Sequence, residues 1–286
     1  EKGINWVLYV NDEVYQDGLK TTHFKNENII IHGDKGLFPK FDYTINKKFN
    51  SSKEYFDKNG GVYKATLLEY EKSLEPSLGV YLSLKSKNSS ICVNSLDNGL
   101  KELICIPNIN NSIENCMDEI SNMDEYSKNL VNNYTNKFYE YLSNNIAKNT
   151  NSFESILNIC ARVLGLENAK EFEDVALSIN EKIEVEIDMR LITINKVKYL
   201  DYRKIVQSLM SHKMANVDIG TLAYSFYICL GKFICKCINE LSKKLKSKNI
   251  VLCGDMFSNT LLLSKVDEIL CKDYNLIIPK KYPLDY

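Results

Sequence analysis

A glycine that directly follows an apolar strand pattern is the feature of this sequence best suited to chemistry. In KNIVLCGDMFSNTLLLSKVDEILCK, Gly254 ends the apolar run and Asn259 precedes a helical pattern. Such a turn can hold phosphate, because glycine lets the backbone approach the anion and the following helix directs its N–H groups toward it. Strand-glycine-helix turns are also common structural joints, and Asn259 can simply cap the helix. The segment therefore predicts either a phosphate-binding loop or a structural turn.

Side chains that commonly bind phosphate or metal ions are scarce in the rest of the chain. The arginines and histidines number three each: Arg162, Arg190, Arg203, His23, His32 and His212. Arginine supplies bidentate contacts to phosphate, and paired histidines on one helix face are a common metal site. Because no two histidines stand three or four residues apart, the sequence argues against a histidine-rich metal site and against a phosphate clamp built from arginines.

The cysteines point to a reducing compartment. Nine cysteines form an odd number without a Cys-x-x-Cys pair, and several lie inside apolar runs such as SFYICLGKFICKC. This pattern favours free thiols packed as small apolar side chains, and hence a cytoplasmic protein. Cys235 and Cys237 are two residues apart and would face different directions on a helix, which argues against a shared metal ion.

The composition describes a globular chain with balanced charge. Its 286 residues are 44% hydrophobic, and 36 Lys and Arg stand against 37 Asp and Glu. Balanced charge gives no electrostatic reason to expect nucleic acid or an anionic membrane as a partner. No uninterrupted apolar run approaches the ~20 residues of a membrane span. We expect neither partner, whereas a protein partner or a homo-oligomer stays open; the first residue, Glu1, is compatible with a fragment of a longer protein.

The elements that must position these residues change in character near residue 110. Before it, short β-branched and aromatic runs alternate with turn residues such as Gly60-Gly61, and residues 78–106 predict a β-meander. From about residue 112 the apolar spacing becomes helical. We therefore predict an α/β protein with a β-rich first lobe over residues 1–110 and a helical and α/β second lobe over residues 111–286.

Several elements of the second lobe carry their own boundary signals. A helix is predicted from a cap at Ser152 to a stop at Gly165, and another begins after a cap at Asp201. A hairpin turns at Asn195, and a long helix covers about residues 218–246. The chain then runs through a strand, the Gly254 loop, a helix and a last strand, which is the clearest unit of the architecture.

Four tyrosines lie in the first helical pattern: Tyr126, Tyr134, Tyr139 and Tyr141. We expect them to form a packing face. Any of them that is exposed would instead mark a surface for a partner.

The boxes of the second lobe resemble, in order and spacing, those of the carbamoyltransferase domain of HypF, the hydrogenase maturation protein. Residues 252–259 are similar to the family's Leu-Ser-Gly-Gly-Val-Phe-x-Asn, and residues 282–285 loosely follow its Val-Pro-x-x-Asp. Residues 152–165 align without gaps on its Ser-Met-Gly-Arg box, and residues 172–177 lie on its Tyr-Glu-Gly-x-Ala-Ala box. The resemblance covers about residues 150–286.

The resemblance implies the two-lobed fold of the actin-like ATPases, in which mixed sheets are flanked by helices and nucleotide lies in the cleft. It also implies ATP-dependent carbamoyl transfer with a divalent metal ion held by histidines and aspartates. The resemblance places nucleotide at six positions, Gly254, Asp255, Asn259, Asn158, Glu173 and Asp174, and metal at Asp285.

Polar positions depart from the family pattern, whereas apolar positions keep it. Asp255 replaces the second glycine and would bring a negative charge to polyphosphate, which costs about 4 kcal/mol at ~4 Å and an effective dielectric near 20. Residues 83–86 read Ser-Leu-Lys-Ser where the family has an Asp-Gly-Thr-Gly turn, and Glu154 replaces a glycine. Asn158 replaces an aspartate, and Asp285 is the one metal ligand that remains. This is the pattern expected if the packing was kept and the chemistry was lost.

Three hypotheses follow. In the first, the chain is a HypF-like domain with a degenerate ATP and metal site, a pseudoenzyme that serves as a binding or regulatory module. In the second, it is a divergent but active ATP-dependent carbamoyltransferase whose missing ligands come from another chain or domain. There Asp255 would have to bind the cation, helped by Asp285 and by Glu173 or Asp174, with ATP and a divalent metal as cofactors. In the third, it is an unrelated α/β binding protein. We favour the first.

Overall fold

A computed structural model describes residues 7–10, 13–17 and 29–32 and, with short gaps, residues 61–280. The gaps are residues 73–74, 85–88, 96–98, 108, 110–111, 143–152 and 181–182. The predicted metal ligand Asp285 and the predicted helix cap Ser152 lie outside the described residues.

The strands form two sheets. An antiparallel sheet of order β2-β1-β3 consists of β1 (Val7–Val10), β2 (Glu13–Asp17) and β3 (Ile29–His32). A mixed sheet has the order β10-β9-β4-β5-β6-β8-β7. Its strands are β4 (Ser77–Tyr81), β5 (Ser90–Ser95), β6 (Gly99–Cys105), β7 (Leu191–Ile194), β8 (Val197–Leu200), β9 (Asn249–Cys253) and β10 (Asn275–Ile277).

The predicted meander is confirmed as β4, β5 and β6, which pair antiparallel in chain order. At its two edges the meander pairs in parallel with strands from the second half of the chain, β4 with β9 and β6 with β8. Strands from both sides of residue 110 therefore share one sheet, and the predicted lobe boundary lies between hydrogen-bonded strands.

Eight α-helices lie within the described ranges. They are α1 (Gly61–Glu69), α2 (Ile113–Ser121), α3 (Glu125–Leu142), α4 (Phe153–Leu164), α5 (Ala169–Ser178), α6 (Tyr202–Met214), α7 (Ile219–Leu245) and α8 (Thr260–Leu270). Helices α2 and α3 cover the predicted helical pattern that begins near residue 112, and α4, α6 and α7 cover the three helices predicted after it. The final unit of strand, loop, helix and strand is confirmed as β9, α8 and β10. Helix α5 was not predicted as a helix. Helix α1 was not predicted, because Gly60-Gly61 was interpreted as a turn in a β-rich region.

The two faces of the mixed sheet belong to different cores. Alternate residues of β4 and β9 point to opposite sides of the sheet. Leu78 and Ile250 belong to the main core with the long helices, whereas Tyr81 and Val251 lie in a small cluster under α1. Helix α1 thus covers the second face of the sheet, where its Tyr63 hydroxyl is 2.6 Å from Ser77 Oγ of β4.

The predicted boundary signals that fall on described residues are confirmed with one exception. Gly165 has φ +85° at the end of α4, and Asn195 has φ +50° in the turn between β7 and β8. At the start of α7, Asp218 Oδ2 accepts the Thr221 N–H at 3.0 Å. Asp201 is the exception: it precedes α6 but makes no capping bond, because its carboxylate is paired with Arg203 at 2.8 Å.

The four tyrosines do not share one face. Tyr134 is buried and donates its hydroxyl hydrogen to the Val163 carbonyl, and Tyr141 packs against Gly165. Tyr126 and Tyr139 are 65% and 68% exposed. The prediction of one packing face is therefore wrong for two of the four, partly because Phe138 has non-helical backbone angles that interrupt α3.

Helix α7 is the central helix of the main core. By length and apolar content it could cross a membrane, but 78% of its most apolar 18-residue window is buried inside the fold. Such burial is what a core helix of a globular domain requires.

The thiols offer a test of the packing. Seven of the nine cysteines are buried, and Cys271 is exposed. Burial raises the pKa of Cys235 and of Cys237 to about 12 and the pKa of half-buried Cys105 to about 11. Because the thiolate is the reactive form, we expect iodoacetamide at about pH 8 to modify Cys271 first in the native protein and all nine cysteines only in denaturant. Peptide mass spectrometry measures both; fast native labelling of Cys235 would contradict the packing of α7.

Candidate functional site

The site begins where two neighbouring parallel strands end. In the register of β4 and β9, Tyr81 stands opposite Cys253, so both strands end at the same edge of the sheet. Beyond that edge the Leu82 N–H donates to the Cys253 carbonyl at 2.9 Å, and the Met256 N–H donates to the Leu82 carbonyl at 3.2 Å. In open α/β sheets ligands bind at the carboxyl ends of strands, so a ligand of this domain is expected at this edge.

Gly254 lets the two loops touch. Its φ is +100°, and a Cβ at this position would lie 2.0 Å from the Leu82 carbonyl oxygen. No other residue fits such a contact. The predicted need for glycine is explained, but the backbone that comes close is that of Leu82.

Asp255 binds the opposite loop. Its Oδ1 accepts the Leu84 N–H at 2.7 Å, and the Leu84 carbonyl accepts the Glu154 N–H at 3.2 Å. The Ser83 N–H donates to Ser89 Oγ at 2.9 Å. The Ser83 and Leu84 N–H groups, in the first half of the turn that stands in place of the family's Asp-Gly-Thr-Gly, are therefore already bonded to oxygen atoms of the protein. Lys85 and Ser86 lie outside the described residues.

Asn259 joins helix α8 to helix α5. Its Oδ1 accepts the N–H groups of Leu261 and Leu262 at 3.0 and 3.2 Å, which confirms the predicted cap. Its Nδ2 donates to Glu173 Oε1 at 2.7 Å. One side chain thus ends the loop and positions a carboxylate from a distant segment.

A pocket of about 160 Å³ lies between these loops and helices α4, α5 and α7. Its wall consists of Leu84, Glu154, Leu157, Ala169, Lys170, Glu173, Tyr227, Asp255, Met256 and Asn259. Three of the predicted nucleotide-binding residues, Asp255, Glu173 and Asn259, are part of this wall.

The other predicted residues lie around the pocket. Gly254 forms the turn beside it, and Asn158 Oδ1 accepts the N–H of the wall residue Ala169 at 2.7 Å. Asp174 is exposed and 3.4 Å from the ammonium of Lys170. The sequence placed most of these residues in one region, although it did not identify which of them face the cavity.

Two functional groups of the wall were not predicted. Glu154 was predicted only as a replacement for a glycine, and Tyr227 was not predicted as a site residue. The resemblance to the HypF domain also aligns Phe226-Tyr227 with a Phe-His pair of that family, which is the sequence signal that could have pointed to Tyr227.

The electrostatics of the pocket are acidic. Its wall holds the carboxylates of Glu154, Glu173 and Asp255 and one ammonium, that of Lys170, which is exposed. Burial, followed by the nearby Glu173 carboxylate, raises the pKa of the Tyr227 phenol above its ordinary value, so the phenol stays neutral. Of the residues described, no three His, Cys, Asp or Glu side chains group closely enough to hold a metal ion.

Comparisons with known proteins agree with this description. The family model described as "Carbamoyltransferase, Kae1-like Domain, second subdomain" matches residues 107–285. Among curated proteins, protein HydE of Wolinella succinogenes is 30% identical over 87 residues, which cover 30% of this chain and 16% of HydE.

Two solved structures have a similar fold. Full-length HypF in its phosphate- and nucleotide-bound form gives a TM-score of 0.59 at 14% identity and covers 82% of this chain and 36% of that one. HypF of T. kodakarensis gives 0.56 at 13% identity, with coverages of 86% and 37%. The chain thus spans little more than a third of each HypF chain, and the hypothesis of an unrelated α/β protein is wrong. With a family model that matches more than half of its residues, this chain belongs to the HypF-like carbamoyltransferase family with a Kae1-like domain.

Proposed function

We propose that this chain is a HypF-like carbamoyltransferase domain whose ATP and metal site is degenerate, and that it acts as a binding or regulatory module. The observation that carries this proposal is the bond of 2.7 Å between Asp255 Oδ1 and the Leu84 N–H. At the place of the family's second glycine, this side chain adds a negative charge to the pocket wall and occupies a backbone donor. Both changes disfavour a polyphosphate.

The remaining wall residues support the same proposal. Glu154 and Glu173 add two further carboxylates, and Lys170 is already paired with Asp174. A triphosphate in this pocket would therefore meet mostly charges of its own sign, each contact costing energy unless a cation intervenes.

For the fold, we propose the two-lobed arrangement of the actin-like ATPases. Because the meander is hydrogen-bonded to β8 and β9, we place β4, β5 and β6 in the same lobe as residues 111–286. The nine free thiols favour a reducing, cytoplasmic location. A protein partner or a second copy of the chain stays open for a binding module of this kind.

Titration calorimetry with ATP and Mg²⁺ tests the function. The expected result for the purified chain is no binding heat up to about 1 mM nucleotide, which corresponds to a binding free energy weaker than about −4 kcal/mol. The matched variant is Asp255→Asn, which removes the charge and keeps an oxygen that can accept the Leu84 N–H.

A different outcome would identify the active alternative. If the chain bound ATP with Mg²⁺ at micromolar concentration, and Asp255→Asn abolished that binding without lowering the melting temperature, Asp255 would be a cation ligand. The domain would then be a divergent carbamoyltransferase, and the proposal of a degenerate site would be wrong.

A further inference from the structure

We propose that the acidic pocket binds an alkylguanidinium ion. This inference rests on the proposed function, because it requires that polyphosphate does not occupy the same cavity. It names the ligand class that the altered wall recognises: a planar cation on a short aliphatic chain.

Two carboxylates in the pocket wall have oxygen atoms without a partner in the part of the chain that the structure describes. Among the described residues, the Glu154 carboxylate has no hydrogen-bond or ion-pair partner, and Glu173 bonds Asn259 through Oε1 alone. Both are half-buried in the wall of the pocket. A cationic ligand between two such carboxylates would be attracted to both, because opposite charges a few ångströms apart in a partly desolvated pocket interact favourably.

The Tyr227 hydroxyl also lacks a hydrogen-bond partner within the described ranges, and this observation does not depend on charge. The Tyr227 side chain is 1% exposed, and its ring packs against Phe226 and Phe172 with centroids 5.4 and 6.0 Å apart. Within the described part of the chain its hydroxyl has no hydrogen-bond partner, although the residue lines the pocket. Among the described residues this hydroxyl is not one of the fully buried polar atoms that lack a partner, so it keeps accessible surface at the pocket. An N–H donor in the pocket would hydrogen-bond to it.

The arrangement of the acidic groups favours a guanidinium over a metal ion or an ammonium. The described acidic side chains do not converge into a group that could share one metal ion, which favours a ligand with several separated donors. A guanidinium offers five N–H donors in one plane, whereas an ammonium is a compact point charge. The aliphatic side chains of Leu84, Leu157 and Met256 provide an apolar wall for a short alkyl chain, and about 160 Å³ admits a ligand of that size.

The probe is n-butylguanidinium, titrated into the full chain and compared with n-butylammonium. We expect n-butylguanidinium to bind more tightly than the ammonium. Glu154→Gln and Tyr227→Phe should each weaken binding about tenfold, the usual effect of losing a hydrogen bond to a charged group. The matched control is Glu240→Gln. Glu240 is exposed on α7, 13 residues and thus about 20 Å beyond Tyr227. The affinity of this variant for n-butylguanidinium should equal that of the wild type.

A blocked arginine, N-acetylarginine methylamide, distinguishes the sources of such a ligand. Binding of both probes supports an arginine side chain of a partner protein, and binding of n-butylguanidinium alone supports a free small molecule. No binding of either probe, or equal losses in Glu154→Gln and Glu240→Gln, would overturn the inference. Because those results leave the ATP titration unchanged, failure here is distinct from failure of the proposed function.

Discussion

Replacement of Gly254 by alanine is expected to lower the free energy of unfolding by about 3–5 kcal/mol. The new Cβ would lie 2.0 Å from the oxygen and 2.4 Å from the carbon of the Leu82 carbonyl, and both are backbone atoms that cannot rotate away. The positive φ of 100° adds strain for any residue with a side chain. Relief of the clash would require the loops after β4 and β9 to separate.

Denaturant unfolding measures this loss, with Gly231→Ala as the matched control. Gly231 lies inside α7 at a negative φ, and a Cβ there would meet the side-chain atoms Lys265 Cγ and Cβ at 3.0 and 3.1 Å, so Lys265 must shift by a few tenths of an ångström. Alanine favours a helix over glycine by up to about 1 kcal/mol, which offsets part of that cost, so the control should lose clearly less stability than Gly254→Ala. A Gly254→Ala protein as stable as the wild type would contradict the close approach of the two loops.

Replacement of Phe172 by alanine is the second change with a large expected effect, about 3–5 kcal/mol of lost stability. Phe172 is fully buried on α5 and meets the Phe226 ring edge to face, with centroids 5.4 Å apart. Its removal would leave a cavity between α5 and α7 that these helices cannot easily close, since Phe226 and Tyr227 are also fixed by the core.

Leu177→Ala is the matched control for Phe172→Ala, because Leu177 lies on the same helix but is 46% exposed. Its cost should stay below about 1 kcal/mol. Thermal or denaturant unfolding measures both variants. Equal costs for the two would show that α5 does not pack on α7 as described, and the support for Tyr227 in the pocket wall would be lost with it.

Several features were predictable because their causes are local in the chain. The strands of the meander, the long helix α7, the Asn195 turn and the Asn259 cap each follow from apolar periodicity or from one residue's backbone preference. The order of the family's boxes also survives in the apolar positions, so the family could be identified from the sequence. Helix α1 was missed because it has only nine residues and begins at the second glycine of Gly60-Gly61, a pair typical of a turn.

The contacts of the polar residues could not be predicted in the same way. Asp201 has the right position for a helix cap, yet Arg203 binds its carboxylate. Tyr126 and Tyr134 have a helical spacing, yet one is exposed and the other buried. For the tyrosines the covering element comes from the packing, about which local propensity carries no information. Arg203 is only two residues from Asp201, so that ion pair is local, and the helix-cap rule does not account for such a competing partner.

By itself, the sequence determined the α/β elements, the need for glycine at position 254 and membership of the HypF-like carbamoyltransferase family. Only the tertiary structure decided that Gly254 packs on Leu82 and that Asp255 binds the Leu84 N–H, 171 residues away in the chain. It also decided that carboxylates from α4, α5 and the loop after β9 share one pocket with Tyr227. The physical reason is that side-chain periodicity reports which face of an element is buried, whereas a pocket depends on which distant elements that burial brings together.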